Sequence, residues 1–377
     1  MKAGWAMKRL NEVCQIKPPK AEARKRISTD TLVSFVPMED LGIEQKFFNA
    51  VQKKPLSVVS GSYTYFADGD VLLAKITPCF ENGKLGIAGA LTNGIGFGSS
   101  EYIVFRSDGR LRNEWLYYYL SRESFRVEGA KLMSGAVGHK RVPKEFIENY
   151  LIPVPPLPEQ QRIVALLDEA FAAIATAKAN AEKNLKNARA LFDSYLNYDY
   201  GANAFLGDLV QIKTGKLDAN AAEANGRYPF FTCSREVYSI NNYAFDCEAI
   251  LLAGNNAVGD FNVKHYKGRF NAYQRTYVIT VNEKQLILYR FLYFHLLKSL
   301  KTFKEQSVGV GTKFLKLGMI QNLKIALPPL ADQQQIVTKL DALSEETQLL
   351  ESIYQKKITT LDALKKSILH QAFTGEL

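Results

Sequence analysis

Cationic side chains interleaved with amides, hydroxyls and aromatics are the commonest chemistry this sequence offers. They concentrate in residues 20–26, 75–84, 138–141, 255–275 and 311–313, all expected to be loops. Within them Arg24, Lys25, Lys75, Thr77, Lys84, His139, Lys140 and Arg141 form one set of candidate contacts. Asn255, Asn256, Lys264, Lys267, Arg269, Arg275, Thr312 and Lys313 form a second. Lys and Arg can reach phosphates or guanine edges, and Asn and Gln can pair with adenine, so both sets suit duplex DNA. Taken one at a time, each of these residues also fits a plain solvated surface charge.

Catalytic patterns are missing. Gly309-Val310-Gly311-Thr312-Lys313 lacks P-loop spacing, and neither G-x-S-x-G nor H-E-x-x-H occurs. The Asn-Pro-Pro-Tyr and Asp-Pro-Pro-Tyr tetrapeptides of amino-methyltransferases are absent. Asp70, Glu81 and Lys84 do not have the E-x-K spacing of common nucleases. The four cysteines and four histidines follow no disulfide or zinc spacing, so no metal site is expected and a reducing cytoplasm fits. His295 falls in an amphipathic helical stretch and reads as a core or boundary residue. No apolar run approaches a membrane span, and the first ten residues have no signal-peptide core.

The net charge is +10, and its placement says more than its size. Residues 1–150 carry 22 Lys and Arg against 16 Asp and Glu; residues 198–325 carry 16 against 10. Each region is therefore +6, while residues 151–197 are neutral and residues 326–377 are −2. Two separate polyanion-binding surfaces are expected.

The chain is also written twice. Leu10-Asn11-Glu12-Val13-Cys14-Gln15-Ile16-Lys17 returns as Leu206-Gly207-Asp208-Leu209-Val210-Gln211-Ile212-Lys213. Val71-Leu72-Leu73-Ala74 returns as Ile250-Leu251-Leu252-Ala253, and Trp115-Leu116-Tyr117-Tyr118-Tyr119-Leu120 as Phe291-Leu292-Tyr293-Phe294-His295-Leu296. Val137-Gly138-His139-Lys140 matches Val310-Gly311-Thr312-Lys313; a loop that meets phosphate and a tight turn both fit it. Pro155-Pro156-Leu157-Pro158-Glu159-Gln160-Gln161-Arg162-Ile163-Val164 matches Pro328-Pro329-Leu330-Ala331-Asp332-Gln333-Gln334-Gln335-Ile336-Val337. Five blocks in one order imply a duplication.

Each half opens with a Gly-rich, aromatic and β-branched region. Residues 32–37, 70–76, 100–106, 249–252 and 275–281 read as strands, and residues 113–121 and 285–298 as helices. A proline turn follows, after which Glu159 or Asp332 opens a long helix. Both long helices carry a heptad seam. The first has Leu167, Phe171, Ile174, Leu185 and Phe192, with Lys178, Ala181, Ala188 and Tyr195 at seam positions. The second has Ile336, Leu340, Leu343, Leu350, Leu361, Leu364 and Ile368, with Thr347, Tyr354 and Lys357 at seam positions. Helices of that length must pair to bury one stripe, and the connectivity makes the pair antiparallel. The expected fold is α+β: two mixed α/β domains (residues 1–152 and 199–326) joined by two long antiparallel helices (residues 153–198 and 327–377), with a pseudo-twofold repeat.

The doubled proline–EQQ–helix blocks, the opening Gly4-Trp5 with Leu10-Asn11-Glu12-Val13, and the ending Ala372-Phe373-Thr374-Gly375-Glu376-Leu377 resemble the specificity subunit of type I restriction–modification enzymes. The second block departs from that pattern at Ala331-Asp332 and Gln335. The resemblance implies two target recognition domains that read a bipartite duplex site, one per half-site. It implies helices that set the spacer and dock the other subunits. Two methyltransferase (modification) subunits and two restriction/translocase subunits are the implied partners. S-adenosylmethionine, and ATP with Mg for restriction, are implied on those partners and not on this chain, which would be non-catalytic. The alternatives are the recognition component of a related methyltransferase–nuclease that is not type I, and a coiled-coil adaptor that binds only proteins.

Overall fold

The computed structural model describes residues 4–198, 200–282 and 286–377. The chain forms two compact units: Met1–Asn180 with Lys357–Leu377, and Ala181–Lys356. Five helices matter below: α1 (Ala21–Arg26), α2 (Asn113–Leu120), α3 (Leu157–Leu196), α4 (Tyr289–Gln306) and α5 (Leu330–Thr374). The two long ones, α3 and α5, are each shared between the units.

Both units are built on the same antiparallel sheet order. In the first unit Cys14–Ile16, Tyr102–Ser107, Val71–Ala74 and Leu85–Ile87 lie side by side. In the second the order is Val210–Thr214, Thr276–Val281, Phe245–Ala253 and Val263–Ala272. The repeated block is the third strand each time. Val71 to Ala74 and Ile250 to Ala253 are buried throughout, as a strand covered on both faces must be. The second sheet then continues through Tyr228–Phe231, which runs parallel to its neighbour, to Tyr238–Ile240. The first unit has a separate sheet instead, ordered Gln52–Pro55, Leu32–Val36, Ile95–Gly98 and Thr64–Ala67.

The expected strands all appear, within a few residues of their expected ends. The helix expected over 285–298 instead runs from Tyr289 to Gln306; Gln285 lies outside the described residues. The aromatic runs are core. Trp115 through Leu120 are all buried, and Trp115 meets Trp5 and Phe373 edge-on at 5.7 and 4.5 Å.

The long helices have 40 and 45 residues, about 60 and 68 Å. They begin at Leu157 and Leu330, two residues before the expected starts, so Glu159 and Asp332 stand in the first turn, where an acid favours the helix dipole. Pro158 is tolerated there because the first N–H groups have no helical partner anyway. Pairing is antiparallel in each unit. In the first, Arg162 donates to the Leu377 carbonyl (2.8 Å) and Lys178 pairs with Asp362 (2.8 Å). In the second, Arg189 pairs with Glu351, and Phe192 and Leu196 share a cluster with Ile336 and Leu340.

The seam holds at Leu167, Ile174 and Leu340, which are buried, and at Phe171, Leu185, Phe192, Ile336, Leu343, Leu350, Leu361 and Ile368, which are half-buried. It fails at Leu364, which is 46% exposed, and at Lys357, also exposed. After Tyr354 the half-buried Ile358, Leu361, Lys365 and Ile368 continue the covered face at spacings of four, three, four and three. An α-helix has 3.6 residues per turn, so a strict seven-residue repeat drifts, and one spacing of four after Tyr354 restores the contact face. Tyr195 is likewise 37% exposed, and Leu196 takes its place.

Candidate nucleic-acid interface

In the first unit the repeated strand Val71–Ala74 runs directly into Lys75, Ile76 and Thr77. The Thr77 N–H donates to the Lys140 carbonyl (2.9 Å), and the Val142 N–H to the Lys75 carbonyl (3.0 Å). Ser134 and Arg141 close the glycine loop between them with two backbone bonds of 3.1 and 2.8 Å. Two of the repeated blocks thus meet at one place, carrying Lys75, Thr77, His139, Lys140 and Arg141. Several of these side chains are committed. Arg141 grips Glu101 through Nε and one Nη, one to each carboxylate oxygen (2.9 and 2.8 Å), which holds that carboxyl below its ordinary pKa. Lys75 donates to the Ser100 carbonyl, Thr77 to Glu81, and nearby Lys84 to the Met38 carbonyl (2.7 Å). Lys140 and His139 are exposed, and among the described residues their side chains have no hydrogen-bond or ionic partner.

The second unit repeats the arrangement. Gly254 follows the strand Phe245–Ala253, and Asn255–Asn256 pairs antiparallel with Lys313–Phe314. The Leu315 N–H donates to the Gly254 carbonyl (2.9 Å). Val308 and Phe314 close the loop with bonds of 3.2 and 2.8 Å. Asn255, Asn256, Arg275, Thr312 and Lys313 are therefore gathered, with the Arg275 guanidinium 5.2 Å over the Phe314 ring. Asn256 is committed to its own turn: its Oδ1 accepts from the N–H groups of Val258 and Asp260. Thr312 and Lys313 have no side-chain hydrogen bond or ion pair among the described residues.

The remaining candidates lie elsewhere. Ala21–Arg26 form a helix and not a loop, because Ala, Glu, Arg and Lys are good helix formers and Ala23 is buried under them. Arg24 donates to the Ser60 carbonyl (3.1 Å), while Lys25 projects outward. Arg106 anchors this helix by pairing with Glu22 and with buried Asp70, the latter through two 2.7 Å bonds. Asp70, Glu81 and Lys84 therefore each have a structural partner and do not converge. Much of 255–275 is likewise strand, Val263–Ala272, where polar residues on a half-solvated face masked the alternation. Lys264 is drawn in toward the Ser234 carbonyl (2.6 Å), and burial lowers its pKa. Arg269 pairs with Asp246 over the Tyr243 ring, and Lys267 is exposed.

His295 sits in α4 beside a cavity of about 1070 Å³ lined in part by Phe291, Lys298 and Leu340, and none of the candidate DNA contacts lines it. Its Nε2 accepts from the Ala326 N–H at 3.2 Å. Burial, with Lys298 nearby, lowers its pKa to about 4. The folded-state value lies below the ordinary 6.5, so the stability it contributes is present above pH 6.5 and is lost as pH falls toward 4, by at most about 1.4 kcal/mol per unit. An NMR titration should find His295 still neutral at pH 5; its assignment to a resonance titrating near 6.5 would contradict this.

Sequence reasoning saw the Gln-Gln blocks but not their task. Gln160 and Gln333 are fully buried. Gln160 accepts from the Arg112 N–H (2.8 Å) and donates to the carbonyls of Arg110 (2.9 Å) and Pro155 (2.8 Å). Gln333 accepts from the Leu288 N–H (2.9 Å) and donates to Leu286 (2.9 Å) and Pro328 (2.8 Å). In each unit two of the three bonds join the long helix to the segment that leads into α2 or α4, and the third returns to the proline turn before the long helix itself.

Among known proteins, the family of the type I restriction modification DNA specificity domain matches residues 2–187 and again 202–359. The specificity subunit of the Escherichia coli type I restriction enzyme EcoDI is 42% identical over 172 residues, 46% of this chain and 37% of that protein. That of EcoAI, also from Escherichia coli, is 38% identical over 163 residues, 43% and 27%. The matched stretches thus span about a third of those relatives' length. A chain solved in work on complex assembly and conformational transition of the type I R-M system superposes with a TM-score of 0.76 at 20% identity, covering 100% of this chain and 99% of that one. The HsdS subunit from Thermoanaerobacter tengcongensis gives 0.64 at 20% identity, covering 100% and 98%. These structures share the fold. The matched domain occurs twice, the two blocks begin in different units, and the repeated sequence blocks fall inside them, so the chain belongs to the type I restriction modification DNA specificity domain family.

Proposed function

We propose that the chain is the DNA-recognition subunit of a type I restriction–modification complex, each domain reading one half of a bipartite duplex site. The observation that carries this is the duplicated grouping of strand-end polar residues with a glycine loop bearing an unpaired lysine. Lys140 and Lys313 are those lysines, and each lies in a +6 region. In this reading the two long helices set the spacer between half-sites and dock two methyltransferase and two restriction/translocase subunits in the cytoplasm. S-adenosylmethionine, and ATP with Mg, bind to those partners, and the single chain neither methylates nor cleaves.

Filter binding to duplex DNA at several salt concentrations tests the core of the reading. Each lysine that meets a phosphate contributes about 0.9 to the slope of log K against log salt. Lys140→Ala and Lys313→Ala together are expected to lower that slope by about 1.8, and each alone by about half as much. A slope untouched by both changes would remove these loops from the interface. A wild-type chain that binds no duplex at all would favour the protein-only adaptor.

A further inference from the structure

Val137 and Val310 are 94% and 104% exposed, the most uncovered large apolar side chains described. They are equivalent positions of the repeat, each at the tip of the loop that closes the candidate interface. Gly138 and Gly311 follow them with φ of +81° and +82°, and a side chain there would meet nothing within 4 Å. On the other side Gly135 and Gly309 take φ of +125° and +114°. A Cβ on Gly309 would lie 2.2 Å from the Thr312 carbonyl oxygen, so the close turn demands glycine.

A tight turn alone gives no reason for the valines. Neither tip packs on its own unit, so a large apolar side chain gains no burial there. Yet the halves, which diverge strongly between their blocks, both place valine here. Each loop base is fixed by backbone bonds to the end of the repeated strand, so the tip is presented rigidly. Each valine is followed three residues later by a lysine without an ionic partner among the described residues, Lys140 or Lys313. An apolar point on a cationic stem matches a DNA groove: the lysine meets phosphate, and the tip meets base edges. The major groove is about 12 Å wide and displays one apolar group, the thymine C5-methyl.

Resting on the DNA-reading proposal above, we infer that Val137 and Val310 enter the major groove and pack against thymine C5-methyl groups in the two half-sites. The test uses the full chain and duplexes that it enriches from a randomised library, amplified either with thymine or with uracil, which lacks only that methyl. Wild type should bind the thymine pool about five- to tenfold more tightly, a difference of about 1 to 1.4 kcal/mol. Val137→Ala combined with Val310→Ala should abolish this preference and leave the salt slope unchanged; each single change should remove part of it. A wild-type chain with no preference, or a double variant that keeps it, overturns the thymine contact while DNA binding stands. Failure of wild type to bind either pool instead overturns the DNA reading beneath it. Circular dichroism matching wild type checks that the variants are folded, and Val→Thr, which keeps one methyl, should retain part of the preference.

Discussion

Gln333→Leu is expected to cost the second unit about 3 kcal/mol or more, and Gln160→Leu the first unit a similar amount. Leucine fits the volume roughly but satisfies none of the three backbone groups that the amide holds. For Gln333 these are the Leu288 N–H and the carbonyls of Leu286 and Pro328. A buried polar group left unpaired costs about 1 to 3 kcal/mol, and three are exposed to that penalty together. Glutamate is no rescue: it still accepts from the N–H but faces two carbonyls with a charge and no donor. Urea unfolding, with hydrogen exchange at Leu292 as a local probe, measures the effect. A loss below about 1 kcal/mol would mean that water or a backbone shift replaces the amide, and that the shared Gln-Gln block is kept for another reason.

That glutamine shows where sequence reading reached and where it stopped. The block was visible because it is repeated, and so were the strands Val71–Ala74 and Phe245–Ala253 and the two long helices. Periodicity reports burial along one element, which is why the seam was legible from Leu167 to Ile174. It does not report how a real helix drifts, so Leu364 was placed inside and lies outside. Nor does it report pairing between distant residues. By sequence Arg141 is as available as Lys140, yet Glu101, 40 residues away, holds it. Charge alone cannot separate a committed cation from a free one, and that distinction leaves Lys25, Lys140, Lys267 and Lys313 ahead of Arg24, Lys84 and Lys264. The helix at Ala21–Arg26 is illegible for a related reason: its charged residues suit a solvated loop equally well, while Ala23 and Glu22 do the packing and anchoring.

Exchange of residues 1–152 for the equivalent domain of a family relative is expected to replace one half of the recognised site entirely and to leave the other half unchanged. The first unit contains its own core around Trp115 and its own strand-end and loop grouping, and the same is true of the second around Phe291 and Leu292. The join is tolerant for a physical reason. Gln160 reads only backbone atoms of Arg110 and Arg112 across the junction, so it does not depend on the incoming side chains. Strand Ala6–Arg9 pairs with Leu151–Val154 through main-chain bonds as well. Side-chain contacts to the helices are the sensitive part: Glu44 with Lys365, Glu123 with Lys366, Lys46 and Tyr118 with Asp168, and Trp115 and Tyr119 with Phe373. The donor domain should therefore be chosen to keep an aromatic at positions 115 and 119. The readout is the methylated motif in cells that also carry the modification subunit. Change in both halves would mean that the domains do not read independently, and change in neither, with methylation intact, would place recognition outside residues 1–152.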